Sequence, residues 1–145
     1  MTALDPAYEL SWDRDRLDVD AIHAALSDTY WASGRARATF ERALAGSIPV
    51  GIYVRDGGAQ AAFARIVSDR AVFAYLGDVI VLPEHRGRGL GKALVAAILA
   101  HPELQGLTRW QLATVDAQGL YAQFGFTPVA RPEIHMERAP SFDDV

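Results

Sequence analysis

The sequence predicts an α/β fold: a mixed, mostly antiparallel central sheet of about six to seven strands, flanked by about four helices. Three observations carry this. Apolar, β-rich runs of strand length occupy residues 48–55, 60–67 and 71–82, with the hairpin signal Asp56-Gly57-Gly58 between the first two. Stretches of helical spacing precede and follow this block. The helical stretch at 92–100 separates the run 71–82 from the run 109–114, and a helical crossover between neighbouring strands makes them parallel. At 145 residues the expectation is one domain over 1–145, with a core at about 8–138 and a flexible tail at 139–145.

Taken in order, residues 8–12 alternate enough for a short first strand, and a charged connection follows. Asp18 or Asp20 can cap a helix reaching about Thr29, whose apolar face is Val19, Ile22, Ala25 and Leu26. Tyr30-Trp31-Ala32-Ser33-Gly34 interrupts the pattern, and residues 35–45 resume as a helix closed by Gly46. Three strands in a meander come next, joined by Asp56-Gly57-Gly58 and by Ser68-Asp69-Arg70. Pro83 ends the third, because it has no N–H to give to a ladder. After the helix 92–100, His101-Pro102 forms a stop, 109–114 is the next strand, and Asp116 is placed to cap a helix that ends at Gly125. Residues 126–129 and 134–138 read as closing strands.

The chemistry concentrates where the third strand meets the third helix. There Asp78-Val79-Ile80-Val81-Leu82-Pro83-Glu84-His85 runs into Arg86-Gly87-Arg88-Gly89-Leu90-Gly91-Lys92. Glycines leave the backbone N–H groups unshielded, and the first N–H groups of a helix have no partner and sit at the positive end of its dipole. With Arg86, Arg88 and Lys92 beside them, the expected ligand is an anion, above all a phosphate. A Walker A loop fails here, because Arg86 stands where its first glycine belongs and Ala93 where Ser or Thr belongs. A dinucleotide fingerprint fails too, at Lys92 or at Leu94 depending on its start. By itself the remaining pattern also suits an Arg/Gly surface turn that caps a helix.

Composition bounds the function. Half the residues are hydrophobic and the net charge is −4, which argues against a nucleic-acid-binding face. Lys92 is the sole lysine in the chain, so the basic turn stands out against an acidic background. With no cysteine, neither disulfide scaffold nor thiol catalysis is open. The first residues lack a basic-then-apolar signal pattern and no apolar run approaches the ~20 residues of a membrane span. The expectations are a cytoplasmic protein, no nucleic-acid or membrane partner and no metal site.

Arg86-x-x-Gly89-x-Gly91 directly after a strand resembles the acetyl-CoA signature of the GNAT superfamily of N-acetyltransferases. Gly119-Leu120-Tyr121-Ala122-Gln123-Phe124-Gly125-Phe126 resembles the family's later motif, a tyrosine-bearing helix ending at Gly-Phe. The two motifs stand in the family's order, and the resemblance covers residues 8–138.

The resemblance implies the GNAT fold, with the strands 71–82 and 109–114 as a parallel splayed pair in the middle of the sheet. It implies that acetyl-CoA is the co-substrate, its pantetheine arm along Val79, Ile80 and Val81 and its pyrophosphate on Arg86, Gly87, Arg88, Gly89, Leu90, Gly91 and Lys92. Tyr121 takes the position of the general acid, and a strand N–H near Ile80 serves the oxyanion. Asp78 ranks first as general base, with Glu84, Asp116, His85 and His135 behind it. The first two helices and their loop become one wall of the acceptor site, so Tyr30, Trp31, Arg35 and Arg37 are candidates for substrate contact; core packing for Trp31 and solvation for both arginines are equally open. The compact Thr114-Val115-Asp116-Ala117-Gln118 departs from relatives that carry asparagine there. The implied activity is acetyl transfer to a primary amine of a small molecule or peptide by direct attack in a ternary complex, and a homodimer is the partner state that the resemblance suggests. The rival is a non-catalytic acyl-CoA-binding sensor.

Overall fold

In the computed structural model, which describes residues 3–140, five strands form one sheet in the order β1-β2-β3-β4-β5. They are β1 Tyr8–Ser11, β2 Ile48–Val54, β3 Gln60–Ser68, β4 Phe73–Val81 and β5 Arg109–Gln111. The helices are α1 Val19–Ser27, α2 Arg37–Ala45, α3 Leu90–Leu99 and α4 Gln118–Ala122. Pairing is antiparallel from β1 to β4 and parallel between β4 and β5. No helix among the described residues is long and apolar enough to cross a membrane.

Local chemistry sets the connections. Asp18 caps α1, its carboxylate accepting the Ala21 N–H at 3.0 Å. Gly57 and Gly58 turn the β2–β3 hairpin at φ +91° and +78°, conformations that a Cβ would oppose. The β3–β4 turn is held by Asp69, whose Oδ1 accepts the N–H groups of Ala71, Val72 and Phe73. Those N–H donors, Val72 foremost, keep the Asp69 carboxyl below the usual carboxylate range.

Helices cover both faces of the sheet. On one side Ile22 and Leu26 of α1 and Phe40 and Leu44 of α2 pack with Phe63 and Ile80. On the other, Leu90, Leu94, Val95 and Ile98 of α3 pack with Val50, Ile52, Ala62 and Ala64. The alternation of Ala62, Phe63 and Ala64 between the two faces is the period-two pattern of a strand buried on both sides.

Two irregularities of β4 build the site. Ala62 faces Val81 and Phe63 faces Ile80, but Arg65 faces Gly77, so Asp78 and Val79 together oppose Ala64 in a bulge. Asp78 takes φ +51° there, uncommon for a residue other than glycine. Second, β4 pairs with β5 only over Phe73, Ala74 and Tyr75. Beyond that register β4 runs on to Val81 paired only with β3, and a gap opens between it and residues 112–117.

The closing strands expected at 126–129 and 134–138 are absent among the described residues. Pro132–Ile134 is a 3₁₀ turn and residues 126–129 join no ladder. Pro128 and Pro132 withhold N–H donors from any such ladder, and Met136 is 97% exposed, so this segment covers no second sheet face. Among the described residues the sheet therefore has five strands, and the parallel pair lies at its edge rather than in its middle. Of the tail expected at 139–145, residues 141–145 lie outside the described residues.

Candidate active site

The bulge turns the Asp78 side chain into the gap, where it is 2% exposed and collects three donors. Arg35 Nη1 donates to Oδ2 at 2.8 Å, Arg65 Nε to the same oxygen at 2.6 Å, and Trp31 Nε1 to Oδ1 at 3.0 Å. Burial pushes this carboxyl up, but the hydrogen bonds and charges of Arg65 and Arg35 outweigh it and hold the group below the usual carboxylate range. Tyr30 packs edge-on against Trp31, with ring centroids 5.0 Å apart, and its hydroxyl accepts the Val115 N–H at 3.2 Å. The α1–α2 loop is thus fastened to β4 on one side and to the 114–117 turn on the other.

These residues line a cleft of about 470 Å³ between the diverging strands, with Tyr75, Gly77, Thr114, Asp116 and Tyr121 on its remaining walls. A second cleft of about 410 Å³ continues from it past Val79, Ile80 and Val81 to Pro83 and Arg86. Tyr30, Trp31, Val79 and Asp116 border both. The Leu82 N–H bonds back to Ala61 on β3 at 2.9 Å. Strand alternation therefore turns the N–H and C=O of Val81 to the open side, where Arg86 Nε reaches the Val81 carbonyl at 3.3 Å.

The glycine turn lies at the far end of that second cleft. Gly87 and Gly89 adopt φ +80° and +75°, and a Cβ at either would meet nothing within 4 Å. The demand for glycine is thus conformational, and the space above the turn is open. Gly89 stands at the N-cap of α3 with no side-chain cap, and the first ladder bond runs from the Ala93 N–H to the Gly89 carbonyl. The N–H groups of Leu90, Gly91 and Lys92 lie ahead of it, which is the arrangement that receives a phosphate. Leu90 contributes only backbone, its side chain being buried. On the outer side of the turn Arg88 pairs with Asp5 at 3.6 Å, and His85 Nδ1 meets the Tyr8 hydroxyl at 2.9 Å.

Tyr121, on α4, is buried in the wall of the main cleft. Burial first, then the charge of Asp116 and the proximity of Tyr30, push its phenol up to about 12. α4 closes on Gly125 at φ +88°, with the Phe126 N–H returning to the Tyr121 carbonyl at 3.2 Å. Asp116 does not cap this helix: Ala117 holds the cap position, and the Thr114 hydroxyl accepts the Ala117 N–H at 3.1 Å. Among the described residues Asp116 has no hydrogen-bond or ion-pair partner, and it lines the cleft instead.

Other residues singled out in the sequence lie elsewhere. Arg37 pairs with Asp20 and Glu41 on the helix surface, outside the cleft. Glu84 borders neither cleft, and His135 lies beside Arg109 at 3.4 Å. Conversely, Arg65 and Gly77 belong to the cleft wall and had no part in the sequence motifs. Arg65 was detectable as the lone charge within the apolar run 61–67.

A model of the acetyltransferase (GNAT) domain matches residues 49–128. A Gibberella zeae protein with a provisional acetyltransferase name is 32% identical over 137 residues, covering 80% of this chain and 76% of that one. A mycothiol acetyltransferase of Tsukamurella paurometabola is 31% identical over 88% of this chain, which spans 44% of that protein. Among solved structures, a Xanthomonas campestris protein described as belonging to the GNAT family is 52% identical, with a TM-score of 0.89 over 97% of this chain and 99% of that one. A diverging strand pair over a glycine turn is therefore the framework of an acetyltransferase. The chain belongs to the GNAT acetyltransferase family, and it is an acyltransferase enzyme.

Proposed function

We propose that the protein moves an acetyl group from acetyl-CoA to a primary amine, of a small molecule or a peptide, by direct attack within a ternary complex. The observation that carries this reading is the stretch of β4 left without a partner on its β5 side, running from the buried cluster at Asp78 toward the open N–H groups of α3. A chain with amides and phosphates fits it: amides beside Val79, Ile80 and Val81 as an added strand does, and the pyrophosphate on Arg86, Gly87, Arg88, Gly89, Leu90, Gly91 and Lys92. Acetyl-CoA supplies the acetyl group as a thioester.

The chain's own groups then divide the work. Outward N–H groups of β4, at Val79 and Val81 rather than at Ile80 itself, stabilise the developing oxyanion, a service worth roughly 3 kcal/mol. Tyr121 Oη gives its proton to the departing sulfur, and a phenol pushed up to about 12 is fully protonated for that task at neutral pH. Asp78, with its oxygens occupied by Arg35, Arg65 and Trp31, is suited to holding those side chains rather than to taking the amine's proton. Asp116, which lines the cleft and is close enough to act on Tyr121, receives that proton directly or through water.

The experiment is a pair of measurements on the full chain and on Tyr121→Phe: thermal stability with acetyl-CoA, and release of CoA thiol with a panel of amines. Acetyl-CoA should stabilise both proteins, and turnover in the variant should drop roughly 10²-fold. Absence of stabilisation by saturating acetyl-CoA or CoA would sink the reading. Stabilisation without turnover on any amine would leave the acyl-CoA-binding sensor in its place.

A further inference from the structure

The cleft between the diverging strands holds two arginines around one carboxylate. Arg35 and Arg65 are 22% and 17% exposed at their side chains, and Asp78 is 2% exposed. Each guanidinium carries five N–H donors. Among the described residues Arg35 uses Nη1 on Asp78, while Arg65 uses Nε on Asp78 and Nη1 on the Ser47 hydroxyl at 3.1 Å. Arg35 Nη2 and Nε and Arg65 Nη2 have no protein acceptor, yet they are not among the sealed, unpartnered atoms, of which the Tyr53 hydroxyl is the one example. Both side chains line the cleft. Gly77 lies directly beside the Arg65 guanidinium, since a Cβ there would sit in ordinary contact with Arg65 Nη2 and the Tyr75 ring, each 3.8 Å away.

We propose that the acceptor amine carries a second group, an oxyanion, and that Arg35 and Arg65 bind it over Gly77 while the amine lies toward Tyr121 and Asp116. This deepens the acetyltransferase reading and rests on it. The charge balance is local: Asp78 neutralises one of the two guanidiniums, so this end keeps a surplus positive charge. The other carboxylate of the cleft, Asp116, lines its wall beside Ala117 and Tyr121 and acts on Tyr121, whereas the charges acting on Asp78 are those of Arg65 and Arg35. A cleft lined by two cations and, on a different element, a carboxylate matches a substrate with an ammonium at one terminus and an anion at the other. Planar forks already fixed by Asp78 lose little freedom when they take a carboxylate or phosphate. Asp78 is then a positioning residue, acting through the arginines.

The test is acetylation of matched amines by the full chain: 3-aminopropanoate, 2-aminoethyl phosphate and ethanolamine, together with the common α-amino acids and their amides. Anionic members should have kcat/KM roughly 10–100-fold above their neutral counterparts, the worth of one or two charge-assisted hydrogen bonds. The carboxylate and phosphate arms show which oxyanion is preferred. In Arg35→Gln the preference should collapse through KM, while stabilisation by acetyl-CoA persists as proof of fold; Arg65→Lys, which keeps a cation for Asp78, should reduce it partially. Calorimetric titration of the anionic amines into the CoA complex gives a readout independent of turnover. Equal or better use of neutral amines, or no binding of any anionic amine to the CoA complex, overturns the proposal. Acetyl-CoA stabilisation and turnover of neutral amines would survive that outcome, whereas loss of acetyl-CoA binding itself would point to failure of the acetyltransferase reading.

Discussion

At the scale of residues, the site is governed by two buried groups in opposite electrostatic surroundings. Asp78 is ionised beside cations, and its folded pKa lies below the unfolded value of ~3.9. Its stabilising contribution is therefore present above about pH 4 and is lost as pH falls through the folded pKa. Asp78→Asn should cost about 2–3 kcal/mol at pH 7, less than a fully buried pair because both arginines keep some water. Urea unfolding should show that gap narrowing at pH 3; an unchanged gap would mean that packing, not charge, is what the substitution removes. Tyr121 is neutral beside an anion, and with its phenol at about 12 it should impose no alkaline loss of activity below roughly pH 10. In Asp116→Asn the like charge is removed, so the phenol moves down while the amine loses its proton acceptor. Rates should fall most at neutral pH, where the amine is protonated, and recover as pH rises; a pH-independent loss would take Asp116 out of the proton path.

At the scale of elements, β4 and α3 matter most. The β4 bulge could not be read from residues 71–82, because nothing in an apolar run announces a register slip. The N-terminus of α3 was legible, since Gly87 and Gly89 carry its demand for positive φ in their identity. Gly89→Asp places a carboxylate where an anion is to bind, in a left-handed conformation that costs a non-glycine residue about 1–2 kcal/mol. Acetyl-CoA stabilisation should vanish in this variant while the chain stays folded, as circular dichroism would report. Gly89→Ala should show the conformational cost with weaker loss of binding. Full retention of binding in Gly89→Asp would move the pyrophosphate away from α3. The closing strands at 126–129 and 134–138 are where local reading failed: short β-prone stretches promise a strand, but two prolines and an exposed face give it neither partner nor core.

At the scale of the whole molecule, binding and folding are linked. A ligand that spans β4, α3 and α4 ties the sheet to the two helices of one face, and at 100 times its Kd it adds about 2.7 kcal/mol to stability. For a domain of this size the melting temperature should rise by roughly 8 °C, read by calorimetry. CoA without the acetyl group should give most of the rise, since the contacts proposed are to its arm and phosphates; a rise confined to acetyl-CoA would place the binding energy at the acetyl end instead.

The sequence by itself determined the strand–turn–helix of the anion cradle, the tyrosine helix ending at Gly125, the hairpin at Gly57 and Gly58, and the order of the four helices. Each depends on residues adjacent in the chain, whose backbone preferences act locally. Only the tertiary structure decided that Trp31, Arg35, Arg65 and Asp78 form one cluster, that Asp116 faces the cleft instead of capping α4, and that Arg37 faces away. Those residues come from separate elements, so their meeting depends on sheet register, on the bulge that turns Asp78 inward and on the parting of β4 from β5. Such features arise from packing both faces of the sheet at once, and no stretch of the chain encodes them alone.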